Sequence, residues 1–386
     1  MAANPAKIVV EGVYKIFGRD AEAALDMTRS DEAKSAILEK TGCVVALNDI
    51  NLEIGAGETF VIMGLSGSGK STLIRHFNRL VEPTAGRILV NGRNVLEMTS
   101  RELIQFRRSG ISMVFQRFGL LPHQSVLENV MCGLSLTGVP RKQAVRQAME
   151  QIEIVGLTGF ENKYPRQLSG GMQQRVGLAR ALATEADILL MDEAFSALDP
   201  LIKADMQAQL KSIQQQVKKT IVFITHDLDE GLHLGDRLAI LKDGEIRQIG
   251  TGEEIVFSPA DDYVRRFVQK VDYARALSVR SIFRRAPVNG QPAPIEPCAH
   301  RGDQGASNGV APTEPVSIDV DAALGASFSL LSRHKSLVVT DGGVPVGTLD
   351  RHAAFSAMAR SVQYHRPRRR WSAIWPSQRA ILERAL

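Results

Sequence analysis

Short β-branched runs alternate with longer helix-like stretches, a pattern that predicts an α/β fold around a mostly parallel, covered sheet. Three observations carry that prediction. The runs at residues 59–63, 188–191 and 220–225 (TFVIM, ILLM and TIVFIT) are short and apolar. The stretches between them are long enough for helices. The 386-residue chain is 44% hydrophobic and 23% charged, a globular composition too apolar for disorder and without the glycine period of a fibrous protein. Its length allows one large domain or two to three ordinary ones.

In chain order, the first residues (MAANPAKIVVEG) hold no apolar core long enough for a secretory signal. No run approaches the roughly 18 uninterrupted apolar residues of a transmembrane helix, so the chain is not expected to cross a bilayer by itself. Cys43, Cys132 and Cys298 are scattered. They form neither a disulfide framework nor a metal-ligand spacing, which suits a reducing compartment. The net charge of +5 points to an anionic partner without naming one.

The alternating region runs over about residues 7–270. Its strongest signal is Gly64-Leu65-Ser66-Gly67-Ser68-Gly69-Lys70-Ser71, directly after the apolar run TFVIM and before the helix-like STLIRHFNRL. This fits the P-loop pattern in its expected strand–loop–helix context, the alternative being a Gly-rich turn that closes an αβ unit. Gly64, Gly67 and Gly69 let backbone N–H groups converge on phosphates, and the following helix start adds a favourable dipole. Ser66, Ser68 and Thr72 are assigned to the same nucleotide cradle. Lys70 reaches the β- and γ-phosphates of a bound nucleotide, and the Ser71 hydroxyl coordinates Mg²⁺.

A second signal is ILLMDE at residues 188–193. A buried strand there delivers two carboxylates at its C-terminal end. Asp192 is assigned to the magnesium through water, and Glu193 to polarising the attacking water. Taken alone, an apolar run ending in Asp-Glu is equally an ordinary strand exit. The upstream P-loop gives it meaning.

Between these lies Leu168-Ser169-Gly170-Gly171-Met172-Gln173-Gln174-Arg175, which resembles the signature motif of ATP-binding cassette (ABC) ATPases. The order of the surrounding elements resembles that family too. Gln116 in MVFQRFGLLPH is similar to its Q-loop glutamine, a γ-phosphate sensor and metal ligand. Ala197-Leu198-Asp199 resembles the D-loop, and His226 in FITHDLDE the switch histidine. Phe17 in YKIFG is placed to stack on adenine, with Tyr14 as the alternative. The resemblance covers about residues 7–270 and implies an α/β P-loop NTPase, an ABC cassette with a mixed sheet core and a helical subdomain near residues 96–176. It further implies an active ATPase using ATP and Mg²⁺, with Glu193, His226 and Lys70 catalytic. Two copies would pair head to tail, so that Ser169, Gly170 and Gly171 of one contact the γ-phosphate on the other.

Within the family, IMGLSGSGKSTLIRHFNRLVEPTAG, SGGMQQRVGLARALA and LLMDEAFSALDPLIKADMQ resemble the ATP-binding subunits of glycine betaine/proline importers. These share an insertion like the one at residues 19–42 here, which otherwise reads as a solvated amphipathic helix. The resemblance implies integral-membrane permease subunits, a periplasmic or lipid-anchored solute-binding protein, and a peripheral position on the cytoplasmic face of the inner membrane. It implies no nucleic acid. The rivals are an importer of another small polar solute, such as an amino acid, and a non-transport ABC ATPase.

Beyond the cassette, residues 277–286 and 337–349 resemble the opening and closing segments of one CBS unit. The accessory region of residues 271–360 is therefore read as a small, degenerate CBS-like α+β module, or a docking module without ligand. It is interrupted by a Pro/Gly-rich linker at 286–316. The tail, residues 361–386, is basic and carries both tryptophans, Trp371 and Trp375. From Arg360 onward seven arginines and one glutamate give +6, which leaves −1 for the preceding 359 residues of a chain with net +5. Arginine beside tryptophan suits an anionic membrane surface; the alternative is a solvated end, and Pro367 and Pro376 interrupt any single helix.

Overall fold

The computed structural model describes residues 5–115, 119–184, 186–196, 198–269, 279–285, 316–331, 333–351 and 353–354. The chain divides into two units, Met1–Val268 and Gln269–Leu386, taken here one at a time. The first unit begins with β1 (Ala6–Phe17), α1 (Ala21–Arg29), α2 (Lys34–Thr41), β2 (Val44–Gly55), β3 (Thr59–Met63) and α3 (Lys70–Phe77). Next come β4 (Ala85–Val90), β5 (Arg93–Asn94), α4 (Ser100–Gln105), a π-helical turn (Phe106–Gly110), β6 (Ile111–Val114), α5 (Val126–Leu136), α6 (Arg141–Ile154) and α7 (Gly170–Ala183). It closes with β7 (Ile188–Asp192), α8 (Pro200–Val217), β8 (Thr220–Thr225), α9 (Leu228–Leu234), β9 (Arg237–Lys242), β10 (Glu245–Gly250), α10 (Gly252–Phe257) and α11 (Asp262–Val268).

Six strands form one sheet in the order β10-β9-β3-β8-β7-β6. All neighbours are parallel except the β9–β10 hairpin. Every residue of β3, β7 and β8 is buried, which is why these strands read as unbroken apolar runs. A second sheet, β2-β1-β4-β5, is antiparallel throughout, so the sheet system is mixed. Its strand β2 alternates buried and exposed residues along NLEI, as a sheet with one covered face does. The two sheets share a core with α3: Ile8 and Val10, Phe60 and Ile62, and Leu73 and Phe77 belong to one buried cluster. At roughly 25 cal/mol per Å² of apolar surface removed from water, side chains of this size each contribute about 2 kcal/mol. The P-loop helix is thereby held firmly between the layers.

Helices α5, α6 and α7 pack on one another beside this core. The helical subdomain expected near residues 96–176 is interrupted in the structure: residues 111–114 form β6, an edge strand of the six-stranded sheet, and α7 continues to Ala183. The insertion is a pair of short helices and not one solvated helix. Ala24, Leu25 and Ile37 are buried in a local cluster with Ile16, Cys43 and Val45 of the flanking strands.

In the second unit, β11 (Arg284–Arg285), β12 (Ser317–Asp319), α12 (Leu324–Leu331), β13 (Ser336–Asp341) and β14 (Val344–Asp350) are described. The sheet order is β11-β14-β13-β12, with β12 parallel to β13. Gly342 and Gly343, both at positive φ, turn the β13–β14 hairpin. Of the linker expected at 286–316 only Val316 is described, and the tail of residues 361–386 lies outside the described residues. Among the described residues no helix is long and apolar enough to cross a membrane.

Candidate nucleotide site

Strand β3 ends at Met63 and the chain enters the phosphate loop. Gly64, Gly67 and Gly69 all have positive φ, at 153°, 80° and 98°. A Cβ on Gly64 would lie 2.3 Å from the Leu241 carbonyl oxygen, and one on Gly69 would lie 2.7 Å from that of Ala46. A Cβ on Gly67 would meet nothing within 4 Å, so its backbone conformation alone demands glycine. The tip at Leu65, Ser66 and Gly67 is exposed, while Gly64 and Ser68 are buried.

Helix α3 begins at Lys70. Its Nζ donates to the carbonyls of Gly64 (2.9 Å) and Leu65 (3.0 Å), curling over the loop. Burial lowers the Lys70 pKa against the pull of the Glu193 and Asp192 carboxylates. Ser71 Oγ donates to Asp192 Oδ1 at 2.7 Å, and Arg75 Nη2 to Asp192 Oδ2 at 3.1 Å. Asp192 is fully buried at the end of β7. Thr72 sits in the first turn, its carbonyl bonded to the buried ring of His76 at 2.6 Å.

Glu193 follows with φ +47°, the left-handed region rarely occupied by a side chain larger than glycine. Its carboxylate lies 4.0 Å from Lys70 Nζ and 3.6 Å from His226 Nδ1. Lys70, Ser71, Asp192, Glu193 and His226, drawn from α3, β7 and the end of β8, therefore form one cluster. His226 is itself exposed.

Other expected residues stand apart from this cluster. Ser169 caps α7, its Oγ accepting from Met172 N at 3.3 Å, and Ser169 and Gly170 are exposed. A Cβ on Gly171 would lie 2.9 Å from Ile202 Cγ2, so α7 and α8 start in close approach there. Asp199 caps α8, its Oδ1 accepting from Leu201 N (3.2 Å) and Ile202 N (3.1 Å). Phe17 ends β1, 45% exposed as a residue, beside the exposed cross-strand Val44, and Lys15 Nζ lies 4.8 Å from its ring centroid. Tyr14 is instead part-buried against the insertion, with the Arg29 guanidinium 5.5 Å from its ring centre. Gln116 and Ala197 lie outside the described residues.

The donor set fits a magnesium-bound triphosphate. Ser68 Oγ is buried in the cradle without a hydrogen-bond partner among the described residues. The Ser71 hydroxyl and Asp192 carboxylate offer hard oxygens side by side, the ligand type magnesium prefers.

Sequence reasoning missed several residues that shape this site. Arg75 sits one turn after Ser71, an i,i+4 spacing that places both on one face of α3. Lys203 of α8 pairs at 2.5 Å with Oδ2 of Asp227, next in the chain to His226, and lies 3.7 Å from Glu230. Buried Glu230 also accepts from Gln207 (3.0 Å) and from the Thr225 hydroxyl. No local pattern marks such a network, because its members are brought together only by the sheet.

A family model described as "ABC transporter" matches residues 47–196. The glycine betaine transport ATP-binding protein OpuAA of Bacillus subtilis is 54% identical over 283 residues, covering 73% of this chain and 68% of that protein. The glycine betaine/proline betaine transport system ATP-binding protein ProV of Salmonella typhimurium is 50% identical, covering 73% and 70%. The trimethylamine N-oxide transport system ATP-binding protein TmoW of Pelagibacter ubique is 47% identical, covering 71% and 80%. Among solved structures, the dimeric post-hydrolysis state of the ATP-binding cassette MJ0796 bound to ADP and Pi matches with TM-score 0.54 and 33% identity, covering 64% of this chain and 98% of that one.

Proposed function

Because this chain belongs to the ABC transporter family, alongside ATP-binding proteins of glycine betaine transport, we propose that it hydrolyses ATP to drive import of glycine betaine, proline betaine or a related quaternary amine. The observation that carries the reading is the convergence of Lys70, Glu193 and His226 at the phosphate loop. On this reading the loop N–H groups and Ser68 cradle the triphosphate, and Lys70 exchanges the Gly64 and Leu65 carbonyls for phosphate oxygens. Ser71 and Asp192, joined by Gln116, would hold magnesium, which when bound neutralises phosphate charge. Glu193 accepts the proton of the attacking water. His226 is held beside Glu193 and fixes that water and the γ-phosphate. Phe17 stacks on adenine.

The exposed start of α7 leaves Ser169 and Gly170 facing outward toward a second copy, with Gly171 behind them packed on Ile202, and the dimeric state of the MJ0796 cassette supports pairing of two copies. Asp199 would lie at the same junction. Permease subunits embedded in the membrane would supply the pathway, a periplasmic or lipid-anchored binding protein the solute, and the chain would sit peripherally on the cytoplasmic face. The second unit is read as a degenerate CBS-like module, and the Arg/Trp tail as a contact for anionic lipid.

The test is ATP-driven uptake in vesicles holding the permease subunits and binding protein, with labelled glycine betaine, proline betaine and an amino acid compared. Uptake of the betaines alone is expected. Uptake of only the amino acid would replace the substrate assignment. A chain ending at Arg360, assayed across a salt series, should lose the salt response if the tail touches lipid, and an unchanged response removes that role.

A further inference from the structure

We infer that the insertion of residues 19–42 braces the phosphate loop, with Lys34 as its positioning residue. This rests on the reading of residues 64–71 as the nucleotide site and adds a determinant of its affinity. The insertion is anchored rather than loose, since Ala24, Leu25 and Ile37 are buried with Ile16, Cys43 and Val45.

From the first position of α2, Lys34 Nζ donates to the Asp243 carbonyl in the β9–β10 turn and approaches the Val45 carbonyl of β2 at 3.5 Å. Both carbonyls belong to backbone that lies directly behind the phosphate loop. Gly244 N donates to Ser68 O at 3.0 Å, and Gly244 O accepts from Asn48 N at 2.8 Å. A Cβ on Gly69 would lie 2.7 Å from Ala46 O and 3.6 Å from Gly244 Cα. Gly244 is equally tight: a Cβ there would lie 2.4 Å from Ala46 O and 3.1 Å from Lys34 Nζ.

The ammonium, the 243–244 turn, residues 45–46 and Ser68–Gly69 thus form one uninterrupted stack. The turn residues Asp243 and Gly244 both hold positive φ, at 50° and 77°, as a two-residue type I′ hairpin turn requires. Glu245 adds a second tie, accepting from Asn48 Nδ2 at 2.8 Å. Loss of the Lys34 hydrogen bonds lets the turn relax away from Ser68, and the N–H groups that converge on phosphate lose their fixed directions. The effect falls on binding and leaves Glu193 and His226 where they are.

The experiment uses the full chain and measures ATP affinity by calorimetry together with KM and kcat for hydrolysis. Lys34→Met is expected to raise both Kd and KM about fivefold to tenfold, less than the full worth of a charge-assisted hydrogen bond because the contact reaches the phosphate site only through the turn, with kcat within about twofold. Lys34→Arg should restore both constants. Lys40→Met, which removes an exposed pair with Glu32 on the same insertion, should change neither. If Lys34→Met does not fold, Lys34→Gln is measured instead, with a smaller rise of the same kind. Unchanged Kd and KM in a folded variant overturn the inference, as does a fall in kcat alone. If the unmodified chain binds no ATP, the nucleotide site itself fails; if it binds and Lys34→Met binds equally well, only the brace fails.

Discussion

Replacing Glu193 by alanine and by glycine separates two roles that share one residue. Both variants lose the carboxylate that lies 4.0 Å from Lys70 and 3.6 Å from His226. They differ only in a Cβ held at φ +47°. A Cβ in the left-handed region costs roughly 1–2 kcal/mol, and glycine's extra freedom in the unfolded chain takes back roughly 0.4–1 kcal/mol. The glycine variant should therefore be the more stable by about 0.5–1 kcal/mol, or about 1–2 °C in the melting of a unit of this size. Hydrolysis should fall in both by roughly 10²- to 10⁴-fold, the contribution of a general base, with ATP binding retained. The assays are parallel thermal melts and steady-state phosphate release. A glycine variant no more stable than the alanine variant would refute the strain. Hydrolysis above about a tenth of the original rate would remove Glu193 from the role of base.

Two further expectations follow from buried groups. Lys203→Met leaves Asp227 and buried Glu230, whose pKa burial already raises, without their cation; kcat should fall several-fold while KM for ATP holds, and Lys203→Arg should recover part of the loss. His76 is fully buried, and burial pushes its pKa down to about 4 from an ordinary 6.5. Between those values the unfolded chain binds more protons than the folded one, so its contribution is whole above about pH 6.5 and is lost at about 1.4 kcal/mol per unit as pH falls toward 4. A His76→Gln variant should lose less melting temperature than the unmodified chain across that window, and parallel slopes would sink the idea.

What could be read in advance was whatever is contiguous. The run 59–71 contains a buried strand, a loop needing three glycines and a helix start, and each declares itself in residue type. The run 188–193 does the same for β7 and its two carboxylates. The antiparallel β1–β2–β4 layer was obscured because β1 and β2, adjacent in space, are separated by the insertion. The insertion's two helices show few buried residues each, Ile37 alone in α2, so their docking left a faint periodic signal. Gly244, Lys34 and Lys203 act through main-chain atoms or partners far along the chain, where spacing carries no information.

The close approach at Gly171 has a mechanical meaning. With only a hydrogen atom's room between α7 and Ile202, the starts of α7 and α8 make a single corner, capped on one side by Ser169 and on the other by Asp199. A neighbour that pushes on either cap displaces both. Loss of activity from a larger residue at 171 would therefore report a corner forced open, and the same damage should be felt at Asp199, even though that aspartate is untouched.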